Sequence, residues 1–342
     1  MVYKFETTER NNATAIEYET KALLYLMSER QDSKKIDNYV IDCFNDVSGC
    51  NANYDEIWDV QSKGVKDLRP KTIGIALYTL YNNFLHSFPF KHFILVMPKL
   101  KYDYWVDNSK NIFDINNFRT KYIPKVYEGL IQEYKNRKDI VLQTSDIEDF
   151  INKLTFVIAD KSKVEYIRNL IKFRSPQIDD FYFSEIFKEI SDKQTICKNI
   201  SVHNLEIEKP SEIERYNKVI QRKEIYTLIV NRFLGPSIFS TRSSIPLDFY
   251  NEISQFDEEE RKNVLQDVNS EFAKLLFDKN NKTNFWKFFE KIVITTMQNH
   301  TLSINDIFSK FNLSELNKLV DVQTITIKYL IALIKDGLNN EN

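Results

Sequence analysis

Apolar residues in NNATAIEYETKALLYLMSE recur at helical spacing, with Ile16, Leu23, Leu24 and Met27 on one face. The pattern predicts a helix from about Ala15 to Glu29, with Thr14 as a candidate N-cap. The period then changes. DNYVIDCFNDVSGC, residues 37–50, is rich in β-branched and aromatic residues and reads as one strand bent near Asn45. The Asn-rich CNANYDE is a turn, and EIWDVQSKG, residues 56–64, alternates from residue to residue, so that Asp59, Gln61 and Lys63 share one face and Trp58 and Val60 the other. With the turn at Asn51 to Tyr54, antiparallel pairing brings Asp46 roughly opposite Gln61.

KTIGIALYTLYNNFLHS predicts the next helix, offering Ile75, Leu77, Leu80, Tyr81 and Phe84 for burial, and the continuous apolar run KHFILVMPK predicts a strand stopped by Pro98. The order helix, strand, strand, helix, strand implies an α/β layer around a mixed sheet. Residues 101–121 give no clear signal. Beyond them the pattern predicts a helix (Pro124 to Lys138), a short strand (Ile140 to Gln143), a helix, a short strand (Thr155 to Ala159) and a helix (Val164 to Phe173). From about Phe181 it is helical. PSEIERYNKVIQRKEIYTLIVNRFLG reads as one helix with Gly235 as C-cap, while Pro236, the STRSS segment and Pro246 mark a loop. A boundary near residue 200 divides an α/β domain, 1–200, from a mainly helical one, 201–342, and ICKNISVHNLEIEKP leaves room for a linking strand.

Composition narrows the function classes. A chain of 342 residues, 42% hydrophobic and 28% charged, is long enough for two domains with sizeable cores. The formal net charge of −2 means that nucleic-acid binding must come from local basic faces and metal ions. Three cysteines without a CxxC pair build neither a disulfide framework nor a spaced zinc site, which suggests a reducing, cytoplasmic setting. No apolar run approaches the ~18 residues of a membrane span, and the N-terminal segment lacks the apolar core of an export signal. The six glycines form neither GxGxxG nor GxxxxGK[ST], which argues against dinucleotide enzymes and P-loop NTPases.

On the predicted hairpin, Asp46, Gln61 and Lys63 converge at one sheet edge, with Glu17 and Glu19 of the first helix nearby. Hydrolysing a phosphodiester calls for this combination. Hard oxygen donors hold Mg²⁺ or Mn²⁺, the ion polarises the phosphate and acidifies a water, and a cation stabilises the charge that develops.

AIEYETKALLYL, FNDVSG and WDVQSKG together resemble the PD-(D/E)xK nuclease superfamily in its QxK variant, as in Mrr-type restriction endonucleases and the double-stranded DNA endonuclease domain of bacterial anti-phage defence effectors. The resemblance covers roughly the first hundred residues. It implies a restriction-endonuclease-like fold, with Asp46 as principal metal ligand, Gln61 as the second, the Ser62 carbonyl joining them, and Lys63 activating the attacking water and stabilising the pentavalent transition state. Glu19 matches the acid that completes the shell in some members, with Glu17 as its competitor. The sequence departs from the pattern in two ways: no Pro precedes Asp46, and Gln61 is neutral, which weakens metal affinity or leaves more of the charge to Glu19. The resemblance implies a Mg²⁺-dependent DNA endonuclease in anti-phage defence, acting on double-stranded DNA as a homo-oligomer or beside a helicase or sensor, with the helical half as a regulatory, oligomerisation or partner-binding domain. A catalytically silent scaffold of the same fold is the alternative, and an RNA-cleaving member of the superfamily a third.

Other candidates have plainer readings. Asp59 shares the face of Gln61 and reads as a surface residue before a further ligand. Asp42 replaces Asp46 if the register slips. His86, His92, His203 and His300 lack metal-site spacing, and Cys43 reads as a buried strand residue with no histidine beside it. RYNKVIQRKE places Arg215, Lys218, Arg222 and Lys223 partly on one predicted helical face, ordinarily a solvated one. LSINDIFSKFNLSELNKLVDV has a helix-turn-helix outline without the usual glycine, which favours simply packed helices.

Overall fold

The computed structural model describes residues 2–5, 13–65, 67–100, 103–235 and 245–340. Pro236 and the STRSS segment of the expected loop lie outside the described residues. The chain divides into two compact units, one made of the residues up to Tyr166 with Phe187–Arg222, the other of Ile167–Ile186 with the residues from Lys223 onward. The boundary read near residue 200 falls within the first unit, because the chain returns there to complete a sheet.

In the first unit β1 (Tyr3–Lys4) precedes α1 (Ala13–Ser28), and a 3₁₀ turn, Ser33–Lys35, leads into β2 (Asn38–Ile41). Then come β3 (Val47–Cys50), β4 (Ile57–Ser62), α2 (Pro70–Ala76), α3 (Tyr78–Phe84) and β5 (Phe90–Met97). These are followed by β6 (Ile112–Phe113), α4 (Ile123–Lys138), α5 (Thr144–Lys153) and β7 (Leu154–Ile158). The helices α6 (Lys163–Ile171), of which the residues up to Tyr166 belong to this unit, and α7 (Asp180–Lys198), of which the residues from Phe187 do, precede β8 (Glu206–Ile207) and β9 (Val219–Gln221). The main sheet has seven strands in the order β6-β7-β5-β4-β3-β2-β9, while β1 and β8 form a small separate pair. The sheet is mixed: β4 with β5 and β5 with β7 run parallel, and the other neighbours are antiparallel.

Both faces of the centre of this sheet are covered. One packs on α1, where the Gly49 backbone lies close to Leu26 and Ile36, so that a Cβ there would stand 2.9 Å from Ile36. The other packs on α3 and α5, through Phe84 and Phe150 against Phe93 of β5. Consequently β4 is buried at every position, which its alternating sequence does not announce.

Several expectations are corrected. Residues 38–50 are not one bent strand but the hairpin β2–β3, reversed at residues 42–46, where Asp42 takes a left-handed backbone (φ 53°). The helix expected over residues 71–87 breaks at Leu77 into α2 and α3, leaving Ile75 exposed. Residues 140–143 form no strand, and Ile140 and Val141 are exposed. Thr14 lies inside α1 rather than capping it. The segment read as one helix from Pro210 is a 3₁₀ turn, Pro210–Tyr216, then β9, then helix, because Asn217 turns left-handed (φ 53°).

The second unit is helical. It holds α8 (Arg222–Leu234), α9 (Leu247–Ile253), α10 (Glu258–Phe277), α11 (Lys282–Gln298), α12 (Ile304–Ser309), α13 (Leu313–Leu319) and α14 (Thr324–Asn340). Helix α14 packs against α9, α10, α11 and α12, and Phe173, Phe233, Trp286 and Phe289 form an aromatic centre. The capping box of Asp257 and Glu260 starts α10, and Gly235 follows α8 at φ 86°. The segment with the helix-turn-helix outline supplies α12 and α13, whose Ile304, Ile307 and Leu316 are buried. Among the described residues no helix is long and apolar enough to cross a membrane.

Candidate active site

The reversal between β2 and β3 sets the site. The Asp42 N–H donates to the Asp46 carbonyl (3.1 Å), closing the turn, and the Asn45 side-chain oxygen accepts the Asp46 N–H (3.1 Å). Val47 then pairs with Val60, so the register carried one step outward sets Asp46 beside Gln61, as the turn chemistry predicts. Three donors reach one oxygen of Asp46: Gln61 Nε2 (2.7 Å), the Ser62 N–H (2.6 Å) and Ser62 Oγ (2.9 Å) all end on Oδ2. The Gln61 amide also lies 3.4 Å from the Ser62 carbonyl oxygen, so its NH₂ group stands between two oxygens.

Burial pushes the Asp46 carboxyl above its ordinary value, against the Lys63 cation, the Ser62 hydrogen bonds and the more distant Lys198. Lys63 is half-buried, and its backbone is fixed through the N–H to Val96 (2.9 Å). Asp46, Gln61, Ser62 and Lys63 therefore come together.

Glu19 does not join them directly. Its carboxylate binds Lys198 of α7 at 2.6 Å, with both side chains almost completely buried. Its rival Glu17 pairs with Lys21 (2.9 Å) and Lys163 (3.3 Å). Asp42 is buried 3.9 Å from the fully buried Lys218, and its Oδ2 makes no hydrogen bond. Burial raises the Asp42 carboxyl to about 7, opposed by Lys198 and Lys218 and reinforced by Asp46 and Glu19. Three carboxylates and the ammoniums of Lys63, Lys198 and Lys218 thus share one electrostatic cluster.

Asp59, read as a surface acid, is fully buried. Its carboxylate accepts from Asn83 Nδ2 (2.7 Å), Ser48 Oγ (3.1 Å) and, at 3.5 Å, Asn45 Nδ2. Burial lifts it to about 7 despite these bonds. Asn83 also donates to the Phe44 carbonyl (2.9 Å), so this network braces the turn that carries Asp46. The basic run is dispersed as well. Lys218 is buried beside Asp42, and Arg222 donates to the carbonyls of Ile36 (2.7 Å), Met27 (3.0 Å) and Ser33 (2.5 Å). Cys43 lies in the turn rather than in a strand, its thiol pushed up by burial and donating to the Ile41 carbonyl (3.3 Å). His92 stacks on Trp58 and meets Glu56 at 2.9 Å, while His203 and His300 are exposed.

Lys198 and Asn83 escape the sequence reading, and Lys218 enters it only as part of a solvated basic face, whereas it is fully buried. Glu19 and Lys198 are 179 positions apart, and no local spacing marks such a pair.

Among the described residues no group of three or more His, Cys, Asp or Glu side chains is arranged to hold one metal ion. The remaining donors are nevertheless hard oxygens of the kind Mg²⁺ takes while keeping several waters. Asp46 Oδ1 receives none of the three hydrogen bonds that fix Oδ2, the Ser62 carbonyl lies 3.4 Å from the Gln61 amide nitrogen that bonds Asp46, and a rotated Gln61 amide offers a third oxygen in place of its NH₂. These residues fit a singly charged, partly hydrated cation seat. Comparison of the chain with family models, curated proteins and solved structures finds no match.

Proposed function

We propose that the first unit is a metal-dependent DNA endonuclease with a restriction-endonuclease-like, PD-(D/E)xK-type site in its QxK form. The observation that supports it most is the meeting of Asp46, Gln61 and the Ser62 carbonyl, with the Lys63 cation close enough to oppose the burial of Asp46. The α1, β2, β3, β4, α2/α3, β5 succession, with β4 and β5 parallel, agrees with that reading.

Asp46, Gln61 and the Ser62 carbonyl would hold Mg²⁺ or Mn²⁺. When bound, the ion supplies polarisation of the phosphate and a water of lowered pKa. The protein's own part is positional and electrostatic. Three donors pin Asp46 Oδ2 and so orient Oδ1. Lys63 places an ammonium where charge develops on the phosphoryl oxygens, an effect commonly worth ~10²–10³ in rate. Double-stranded DNA is the substrate, and anti-phage defence the setting; both rest on the resemblance of the motifs. In this reading the helical unit regulates, oligomerises or receives a partner such as a helicase or sensor.

The test is plasmid digestion with Mg²⁺ or EDTA. Metal-dependent conversion of supercoiled DNA to nicked or linear product, lost in Lys63→Ala while the circular dichroism spectrum is retained, is the expected result. Undiminished cleavage by that variant would refute the assignment. A catalytically silent scaffold is the second reading, favoured by the engagement of Glu19 with Lys198 and by the NH₂ of Gln61 facing Asp46. Absence of both Mn²⁺ binding and plasmid nicking would select it.

A further inference from the structure

The acid that the motif assigns to a metal shell is bound instead to an ammonium of the same chain. Glu19 and Lys198 meet at 2.6 Å with side chains only 6% and 7% exposed. Lys198 is held from behind. Its backbone carbonyl accepts from Lys218 Nζ (3.3 Å), and Gln194, one helical turn earlier on α7, reaches the Glu19 carbonyl at 3.5 Å. Lys218 is itself fully buried, so the end of α7 is fixed against the acid cluster rather than left on a flexible stem.

Lys198 acts on more than Glu19, since its charge also reaches Asp42 and Asp46. An ammonium and a divalent cation near the same carboxylates repel each other, and the repulsion is strong where water is excluded. A buried pair of this kind is retained only with good geometry and added hydrogen bonds, as here.

We propose that Lys198 is a built-in cation of this site, which keeps Glu19 out of the metal shell and sets how tightly a divalent ion binds at Asp46. Lys198 is a positioning residue in this scheme and touches neither metal nor DNA. The inference rests on the metal-dependent reading of Asp46. It adds that the site's metal affinity is governed from α7, remote in sequence from the motif.

The experiment is titration of the full chain with Mn²⁺, with the free ion followed by electron paramagnetic resonance, so that the readout is binding rather than cleavage. Wild type, Asp46→Asn, Lys198→Met, Lys198→Gln and Lys198→Arg are compared, and thermal unfolding verifies folding. Lys198→Gln retains a donor for Glu19 and keeps the test open if the methionine variant does not fold. The expected result is Mn²⁺ binding that Asp46→Asn abolishes, that Lys198→Met and Lys198→Gln tighten by roughly tenfold or more, and that Lys198→Arg leaves near wild type. Glu19→Gln added to Lys198→Gln should return the affinity toward wild type.

Asp46-dependent binding that Lys198→Gln leaves unchanged or weakens would overturn the role of Lys198 and leave the metal reading standing. Wild-type binding that is absent or indifferent to Asp46→Asn would overturn both.

Discussion

Single residues in this protein do work that their neighbours in sequence conceal. Lys63 contributes charge from a half-buried position, so under the endonuclease function proposed above Lys63→Ala is expected to lower cleavage by at least about a hundredfold with no more than a small change in thermal midpoint. Asp59 is the opposite case, a carboxylate sealed between β4 and α3. In the unfolded chain it loses its proton near the ordinary value of ~3.9, whereas in the fold it keeps the proton up to about 7. Between those values the native state binds more protons than the unfolded one, so stability falls as pH rises through this window and levels off above it. The effect is on the order of a few kcal/mol, and Asp59→Asn should flatten the slope. Urea unfolding of both proteins across that range measures it; a wild-type midpoint that climbs with pH, or identical slopes, would contradict the account. Asp46 is displaced in the same direction by burial, so Mn²⁺ binding at the proposed site should weaken as the pH is lowered.

Among the elements, α2 and α4 approach each other backbone to backbone. A Cβ on Gly74 would stand 2.0 Å from the Val126 carbonyl oxygen, and one on Gly129 would stand 2.0 Å from that of Lys71. Neither helix can yield without separating, so Gly74→Ala is expected to destabilise the unit by at least about 3 kcal/mol. Chemical denaturation would measure this, and a near-neutral result would mean that the helices do not pack backbone to backbone. The hairpin β3–β4 was legible in the sequence because alternation and an Asn-rich turn both specify its register. The β2–β3 reversal was not, because it is made by Asp42 in a left-handed conformation without a glycine or a turn dipeptide. Strand β9 was hidden for a similar reason, three residues set between charged neighbours and paired to β2 from far along the chain. Asp59 was misread because alternation identifies a polar face but not what covers it. The proximity of Asp46 to Gln61 was legible because turn and register coincide within twenty residues, while the places of Lys198 and Lys218 beside the acids are set by the tertiary structure alone.

At the scale of the whole molecule, the first unit is not a continuous stretch of chain. A fragment ending at residue 200 lacks β9, Lys218 and Arg222, which exposes the edge of β2, strips Asp42 of its buried counter-charge, and frees three carbonyls from their donor. Loss of one partner of a buried ion pair alone costs about 3–5 kcal/mol. Residues 1–200 are therefore expected to be insoluble or rapidly digested by protease, and residues 1–222 to be the more resistant. Equal resistance of the two fragments would show that the late segment is dispensable.

The span of Arg222, which caps the Met27 carbonyl from 195 positions away, has a consequence for biosynthesis. A ribosome releases α1 and the acid-bearing hairpin, Lys63 included, long before it makes the Lys198 and Lys218 ammoniums and the Arg222 guanidinium that fasten them. The nascent protein thus carries an unfinished sheet, with Lys63 as the one ammonium of the acid cluster already made, and that cluster can close only when Lys198, Lys218 and Arg222 have left the exit tunnel.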